Sequence, residues 1–397
     1  MRAFNGPTTL PLRRFFQGLA IAGSLFGAAC GSDSGGGGGA AGGVGGGNVG
    51  GGGNVGGGGM GGVAGSGGGG MGGVAGAGGS VGGAGAVGGG GVGGGGGESC
   101  DPYAPRSPAT DVFVGPSGFE KFVVGHVDSA QKTLRLMAYQ FTNWAVRDAL
   151  IEAKKRGVDV KVIYDPDQAA NTNVMNALQG AGIAVKAAPA KFEHAHAKVM
   201  VVDGKRGLVM SGNLNSYSMS SERNYNAVVE SADDVADLEA VFQADWDGAT
   251  PNLGCTRLVV SPENSRTRLT ELINKADQKL DLSVMYVTDD EIVAAVKARV
   301  QAGVKVRMLL ANPGWISNNA QTAATFKALG VPVKYYVAGD LHAKLLITED
   351  AAFVGSENFS YTSLNKNREA GVFVTEPAPV AKIQTQFDAD FAAGATP

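Results

Sequence analysis

The sequence predicts an α/β protein: two tandem mixed-sheet α/β/α repeats behind a disordered glycine-rich tether. Three observations carry that reading. Glycine is crowded into one stretch, with 42 of the 65 Gly of the 397-residue chain between residues 35 and 97. The chain after that stretch repeats itself at an offset of 146 residues. Each repeat alternates short apolar runs with segments of helical spacing, the pattern of parallel strands joined by crossover helices.

The N-terminus comes first. Arg13-Arg14 precede an apolar run over residues 15–29, interrupted by Gln17, Gly18, Gly23, Ser24 and Gly27. A membrane-spanning helix needs about 20 apolar residues, so this run is too short; it has the layout of an export signal. Phe26-Gly27-Ala28-Ala29-Cys30 resembles a bacterial lipoprotein signal whose cysteine becomes the lipidated first residue, with Gly27 where Leu is usual. Arg13-Arg14 with Phe15-Phe16 also resembles a twin-arginine signal, and an ordinary cleaved signal with Cys30 incidental is the plainer alternative. The expectation is a signal peptide over residues 1–30 and a cell-envelope location, membrane-anchored through Cys30 or otherwise periplasmic or secreted.

Residues 31–99 form the tether. Between residues 35 and 97 there is no Lys, Arg, Asp, Glu or aromatic residue. Such a segment cannot bury enough apolar surface to offset its backbone entropy, so it is expected to be disordered. The absence of a Gly-X-Y period excludes collagen. About 67 flexible residues have a root-mean-square reach of roughly 40–50 Å.

What remains, residues 98–397, is long enough for one large or two medium domains. It carries 30 Lys+Arg against 35 Asp+Glu, a mildly acidic balance that argues against tight non-specific nucleic-acid binding. Its only cysteines are Cys100 and Cys255, and in an exported protein such a pair favours a disulfide.

The repeats are expected over residues 100–253 and 254–397. Ala130-Gln-Lys-Thr-Leu134 matches Ala276-Asp-Gln-Lys-Leu280, Gly157-Val158 matches Gly303-Val304, and His196-Ala-Lys198 matches His342-Ala-Lys344. Residues 134–140 and 280–286 read as strands. Residues 144–156 and 290–302 carry helical spacing and end at Gly157 and Gly303 in the C-cap position. Residues 158–164 and 304–310 read as buried strands, followed by second helices over 173–179 and 319–329 and a short strand before each His. Asp203-Gly204 is a hairpin turn.

The chemistry is concentrated in the duplicated segments. Period two puts His196 and Lys198 on one face and Ala197, Val199 and Val201 on the other. Downstream stand Ser211-Gly-Asn213 and Ser356-Glu-Asn358, then Asn224-Tyr-Asn226 and Asn367-Arg-Glu369. A lone His-x-Lys means little; the same residue types twice, at nearly the same spacing, point to one shared site. Two Lys and two Asn can hold the oxygens of a phosphodiester as charge spreads in the transition state. One His can attack phosphorus, and the other can protonate the leaving alcohol and then activate water. Each ring needs a partner on its far nitrogen, a role that suits Glu369.

These motifs resemble those of the phospholipase D superfamily, marked by duplicated H-x-K-x4-D and G-S-x-N elements. The resemblance covers both halves and implies two mixed α/β domains about a pseudo-twofold axis with one metal-free active site between them, no cofactor, and a monomer that is an internal pseudo-dimer. It implies His196 and His342 as nucleophile and general acid, family order favouring His196. It further implies Lys198, Lys344, Asn213 and Asn358 on the phosphate, with Ser211 and Ser356 in support. Three departures stand out. Glu349 replaces the Asp that Asp203 provides in the first motif, a position expected to hold structure. Met210 replaces the Gly before Ser211. Asn226 stands where the first half would carry Glu, which leaves His196 without an acid unless Glu222 reaches it and makes His342 the better-supported ring.

The expected activity is phospholipase D-type hydrolysis of membrane phospholipid to phosphatidate and a free alcohol, with possible transfer to other alcohols. An exported endonuclease acting on nucleic acid and a cardiolipin synthase-type phosphatidyltransferase are the alternatives. The segment 138–143 and Arg156-Gly157-Val158 resemble compact nuclease members. His194, on the His196 face, suggests a metal pair only if a third ligand exists, and spacing places none. His126 reads as a surface or helix residue. Among Trp144, Trp246 and Trp315, the last lies in a Pro-Gly-Trp loop suited to touching substrate.

Overall fold

A computed structural model describes residues 101–397. The export segment, Cys30, the glycine-rich stretch and Cys100 lie outside the described residues. Cys255 is disulfide-bonded.

The first repeat runs β1 (Asp111–Val114), α1 (Phe119–Ser129), β2 (Thr133–Ala138), α2 (Trp144–Lys155), β3 (Asp159–Tyr164), α3 (Thr172–Gly180), β4 (Ala184–Ala187), β5 (Val199–Val202), β6 (Arg206–Met210), α4 (Ser216–Ser221), β7 (Glu222–Arg223), β8 (Tyr225–Val229) and α5 (Ala232–Asp247). The second runs β9 (Leu258–Ser261), α6 (Ser265–Lys275), β10 (Lys279–Val284), α7 (Asp290–Gln301), β11 (Lys305–Leu310), α8 (Asn319–Lys327), β12 (Val333–Tyr335), β13 (Asp340–Leu341), β14 (Lys344–Ile347), β15 (Ala352–Gly355), α9 (Tyr361–Asn365), β16 (Glu369–Val374) and α10 (Pro377–Ala393). Each repeat holds a seven-stranded sheet, in the orders β1-β8-β6-β5-β2-β3-β4 and β12-β11-β10-β14-β15-β16-β9. Read from opposite edges, these are one order twice. In each, the three strands linked by helices are parallel and the remainder antiparallel, which is the mixed sheet the sequence predicts.

Local chemistry explains the shared element bounds. Asn143 Oδ1 accepts from Val146 N at 2.9 Å and caps α2; Asp289 Oδ1 accepts from Glu291 N and Ile292 N, both at 3.1 Å, and caps α7. Both helices stop before a glycine in the left-handed region, Gly157 at φ 93° and Gly303 at φ 84°. Their inner stripes, Val146, Ala149, Leu150 and Ala153 in α2 and Ile292, Ala295 and Val296 in α7, are buried against the sheets. Each fully buried Val, Leu or Ile contributes about 1.5–3 kcal/mol.

The β5–β6 turn takes Asp203 (φ 56°) and Gly204 (φ 61°) into the left-handed region. The Asp203 carboxylate accepts from Gln131 N, Lys132 N and Thr133 N at 2.7–2.9 Å. Glu349 does the same work in the second repeat, accepting from Asp277 N at 2.8 Å and Lys279 N at 3.4 Å. The acid at this position ties the start of the central strand to the hairpin.

The repeats are joined through the segments that lead into each His. β13 pairs with β7 in parallel, Leu341 opposite Arg223, and Ala195 bridges Arg368 in the equivalent place. Ala197 N donates to Arg368 O at 2.8 Å and His342 N to Arg223 O at 3.1 Å. Each bridging arginine is locked by a helix of the opposite repeat: Arg368 Nε sits 2.7 Å from Asp245 of α5, and Arg223 Nε 2.9 Å from Asp390 of α10. Glu263 also pairs with Arg368, at 2.5 Å. Among the described residues no helix is long and apolar enough to cross a membrane.

Candidate active site

His196 and Lys198 lie in the extended segment just before β5, and Lys344 opens β14 two residues after His342. The strands proper begin after each His, because the residues leading into it pair with the opposite repeat, while Lys198 and Lys344 already bond within their own sheets. All four side chains are buried. Lys198 Nζ donates to His196 O at 2.5 Å and Lys344 Nζ to His342 O at 2.8 Å. Each lysine thus folds back on its own histidine.

The partner of His196 comes from the other repeat. Glu369 Oε2 lies 2.7 Å from His196 Nδ1; a carboxylate only accepts, so Nδ1 carries the proton and donates. The same oxygen accepts from Ser356 Oγ at 2.6 Å, and Oε1 accepts from Ser363 Oγ at 2.6 Å and Asn367 Nδ2 at 3.2 Å. Burial opposes a charge on Glu369, but His196, Lys198 and Ser356 outweigh it and hold the carboxyl below its usual value. The His196 ring is pulled down to about 4, by burial first, with Glu369 opposing and Lys198 adding to the fall. Tyr139 stands edge-on to the ring at 4.5 Å.

This arrangement corrects the sequence expectation in three respects. Glu369 serves His196, so His196 and not His342 has the carboxylate-bonded ring. The counterpart of Glu369 is Asn224 and not Asn226: Ser211 Oγ donates to Asn224 Oδ1 at 2.8 Å as Ser356 does to Glu369. Asn226 instead donates to Phe113 O at 3.3 Å within the first sheet. Glu222 does not reach His196; its Oε2 lies 3.7 Å from Nδ1 of His342, whose direct partner is Asn224 Oδ1 at 3.2 Å.

His342 is lowered well below the ordinary histidine value, by burial and then by Lys344, Lys198 and His196. The two rings and the two lysines therefore share one electrostatic field. Asn213 Oδ1, Asn358 Oδ1 and His342 Nε2 are buried with no hydrogen-bond partner among the described residues. A buried polar atom left unpaired costs about 1–3 kcal/mol, and such atoms concentrate where a ligand completes them. Ser218 Oγ fixes the Asn213 backbone, accepting its N–H at 2.9 Å. Trp315 lies 6.5 Å from His342, ring to ring, at the rim.

The remaining candidates lie apart from this cluster or around it. His194 meets Asp165 and Asp167, with ligand atoms within 4.8 Å of one another, so the fold supplies neighbours that spacing does not. Asp165 already accepts from Ala195 N at 2.6 Å and Asp167 N at 2.9 Å, so it ties down the backbone leading into His196. His126 is half-buried on α1 against Phe122. Trp144 is exposed at the start of α2 and Trp246 stacks on Phe242 at 5.8 Å. Sequence reasoning singled out Asn224 but gave it no role, and it missed Tyr139 and the arginines Arg223 and Arg368. The arginines were visible as Glu-Arg-Asn and Asn-Arg-Glu, 145 residues apart.

Comparison with known proteins matches this chain, over residues 123–246 and 269–391, to the family described as cardiolipin synthase, PLD-like domain. A cardiolipin synthase 2 of Bacillus cereus is 24% identical over 289 residues, 62% of this chain and 56% of that protein. A phospholipase D of Rickettsia bellii is 30% identical over 142 residues, 36% of this chain and 68% of that protein. The chain spans a little under three-fifths of the length of the cardiolipin synthases it matches first. A crystal structure of phosphatidylserine synthase from Haemophilus influenzae superposes with a TM-score of 0.57 at 12% identity, covering 73% of this chain and 87% of that one, a likeness of fold.

Proposed function

The chain belongs to the phospholipase D superfamily, through the cardiolipin synthase, PLD-like domain family, and from that premise we propose that it transfers the phosphatidyl group of a phospholipid through a phosphohistidine on His196. Water as acceptor gives phospholipase D-type hydrolysis; the hydroxyl of a second lipid gives cardiolipin synthase-type transfer. The observation that carries the reading is the pair of buried His-Lys sets, one of them oriented by a carboxylate from the opposite repeat.

In the first step His196 Nε2 attacks phosphorus while Glu369 holds the proton on Nδ1. His342 Nε2 gives its proton to the leaving alcohol oxygen. Lys198, Lys344, Asn213 and Asn358 surround the non-bridging oxygens and take up the charge that develops there. The bound anion offsets the two lysines, which lets His342 hold its proton despite burial. In the second step His342 takes a proton from the acceptor, which attacks phosphorus and frees His196. We further propose that a lipid anchor at Cys30 and the glycine tether keep this site near a membrane, a reading supported by the N-terminal sequence.

The test uses the full chain and its His342→Asn variant with phosphatidylglycerol vesicles and, separately, single-stranded DNA. Phosphatidate or cardiolipin formed by the wild type and lost in the variant supports the proposal, and their ratio separates water from lipid as acceptor. DNA cleavage without lipid turnover would replace it with the nuclease reading.

A further inference from the structure

Two positions near the dyad carry the same pair of residue types in reverse order. The first repeat has Glu222 and Asn224; the second has Asn367 and Glu369, each 145 residues on. In the second repeat Asn367 Nδ2 donates to Glu369 at 3.2 Å and Glu369 accepts directly from His196. In the first repeat Asn224 takes the direct position on His342 at 3.2 Å, and its Nδ2 points toward Glu222 Oε2 at 3.5 Å. Glu222 Oε2 is itself 3.7 Å from His342 Nδ1. The carboxylate has moved back two residues along the chain but remains within reach of the ring. Glu222 is buried, so its charge is weakly screened.

We propose that Glu222 is the positioning residue of His342: acting through Asn224 and through its own field, it supplies the negative charge that lets this ring hold a proton for the leaving alcohol. The inference rests on the phosphodiester reading above. Lys344 from its own segment, and Lys198 and His196 from the other repeat, all act against a charge on His342. Glu222 stands against them. It faces Lys344, Asp340, the Tyr217 hydroxyl and Ser218; burial, with Asp340 adding, raises its carboxyl above the usual value, while the Ser218, Lys344 and Asn224 contacts favour its charge.

The swap also makes the two rings unequal. His196 has a carboxylate in direct contact and a fixed tautomer, which suits repeated attack. His342 has a neutral amide in contact and a charge behind it, which leaves its proton easier to release. The asymmetry is local to two side chains on an otherwise repeated frame.

Glu222→Gln tests this in the full chain with two probes, bis(p-nitrophenyl) phosphate and dioctanoylphosphatidylglycerol. The p-nitrophenolate leaving group needs no proton, whereas the glycerol of the lipid does. The first-turnover burst with bis(p-nitrophenyl) phosphate should stay within about threefold of wild type, while kcat on the lipid falls roughly 10–100-fold with KM little changed. The alkaline limb of the lipid kcat profile, where protonated His342 is lost, should move to lower pH. The double variant Glu222→Asn with Asn224→Glu, which copies the second repeat, should recover the lipid rate. If Glu222→Gln has no melting transition, Asn224→Asp puts a carboxylate directly on the ring and must move the same limb to higher pH. An unmoved limb, or equal losses on both probes, overturns the proposal. A wild type that turns over neither probe overturns the phosphodiester reading itself and this inference with it.

Discussion

Nδ1 of His196, in the first repeat, donates to Oε2 of Glu369, in the second, at 2.7 Å. The contact crosses the pseudo-dyad, so neither repeat alone owns a complete nucleophile. Ser356, Ser363 and Asn367 hold the carboxylate on its other sides, and the bridge of Ala195 with Arg368 delivers it to the ring.

Glu369→Gln should therefore keep the shape and lose the charge. The amide can present Nε2 to the ring and favour the wrong tautomer. Loss of a carboxylate that orients a catalytic histidine costs up to about 10⁴-fold in kcat. A fall of about 10²–10⁴-fold in kcat with KM within a few-fold is expected from steady-state turnover of phosphatidylglycerol. A change confined to KM would place Glu369 in binding instead.

The two histidines should also differ in what they abolish. With bis(p-nitrophenyl) phosphate, His342→Asn should still give a first-turnover burst and then stall, since attack needs no acid but release needs a base. His196→Asn should give no burst and no acid-labile, base-stable phosphoenzyme on rapid quench. The reverse pattern would assign the nucleophile to His342.

The doubled His-x-Lys and the strand–helix–strand order were legible in the sequence because they follow from local periods: two along a strand, 3.6 along a helix. The destination of Glu369 was not, because it depends on pairing between segments about 170 residues apart in the chain. Asn226 matches Glu369 only if Asn224-Tyr-Asn226 is laid on Asn367-Arg-Glu369, an offset of 143, whereas the offset from Ser211 to Ser356 is 145 and pairs Asn224 with Glu369. The repeat offset falls from 146 at the histidines to 145 at Ser211 and Ser356, since the hairpin between them is one residue shorter in the second repeat. Met210 before Ser211 has a similar logic. On Gly355 a Cβ would lie 2.3 Å from Glu357 Oε2, while on Gly212 it would lie 2.5 Å from Phe119 Cε1. The large and small residues have exchanged places between Met210-Ser211-Gly212 and Gly355-Ser356-Glu357, so each repeat fills its space differently.

The buried arginines set the stability of the dyad. Arg368 has no exposed surface and pairs with Asp245, equally buried, and with Glu263; Arg223 pairs with Asp390 and keeps some exposure. Removing one partner of a buried pair strands the other and costs about 3–5 kcal/mol. Arg368→Ala should reach that range in urea unfolding. Arg223→Ala should lose less, because water can reach the acid left behind. Equal losses would mean that the two clasps are equally closed to solvent.

Acid should unfold the protein in two stages. Burial holds His196 down to about 4 and His342 well below its ordinary value. A histidine with a depressed folded pKa binds fewer protons folded than unfolded. Its contribution is therefore fully present above about pH 6.5 and is lost as pH falls toward 4. Glu369 is also depressed, so its share persists above about 4.5 and disappears below. Between about pH 6.5 and 4.5 the fall in stability belongs to the histidines and should amount to roughly 2–3 kcal/mol for His196 alone, at about 1.4 kcal/mol per pKa unit. Melting curves across this window check it. His196→Asn should flatten the slope there and, because His196 also helps hold Glu369 down, shrink the loss below pH 4.5 as well; an unchanged slope between about 6.5 and 4.5 would show that His196 is already protonated in the folded state.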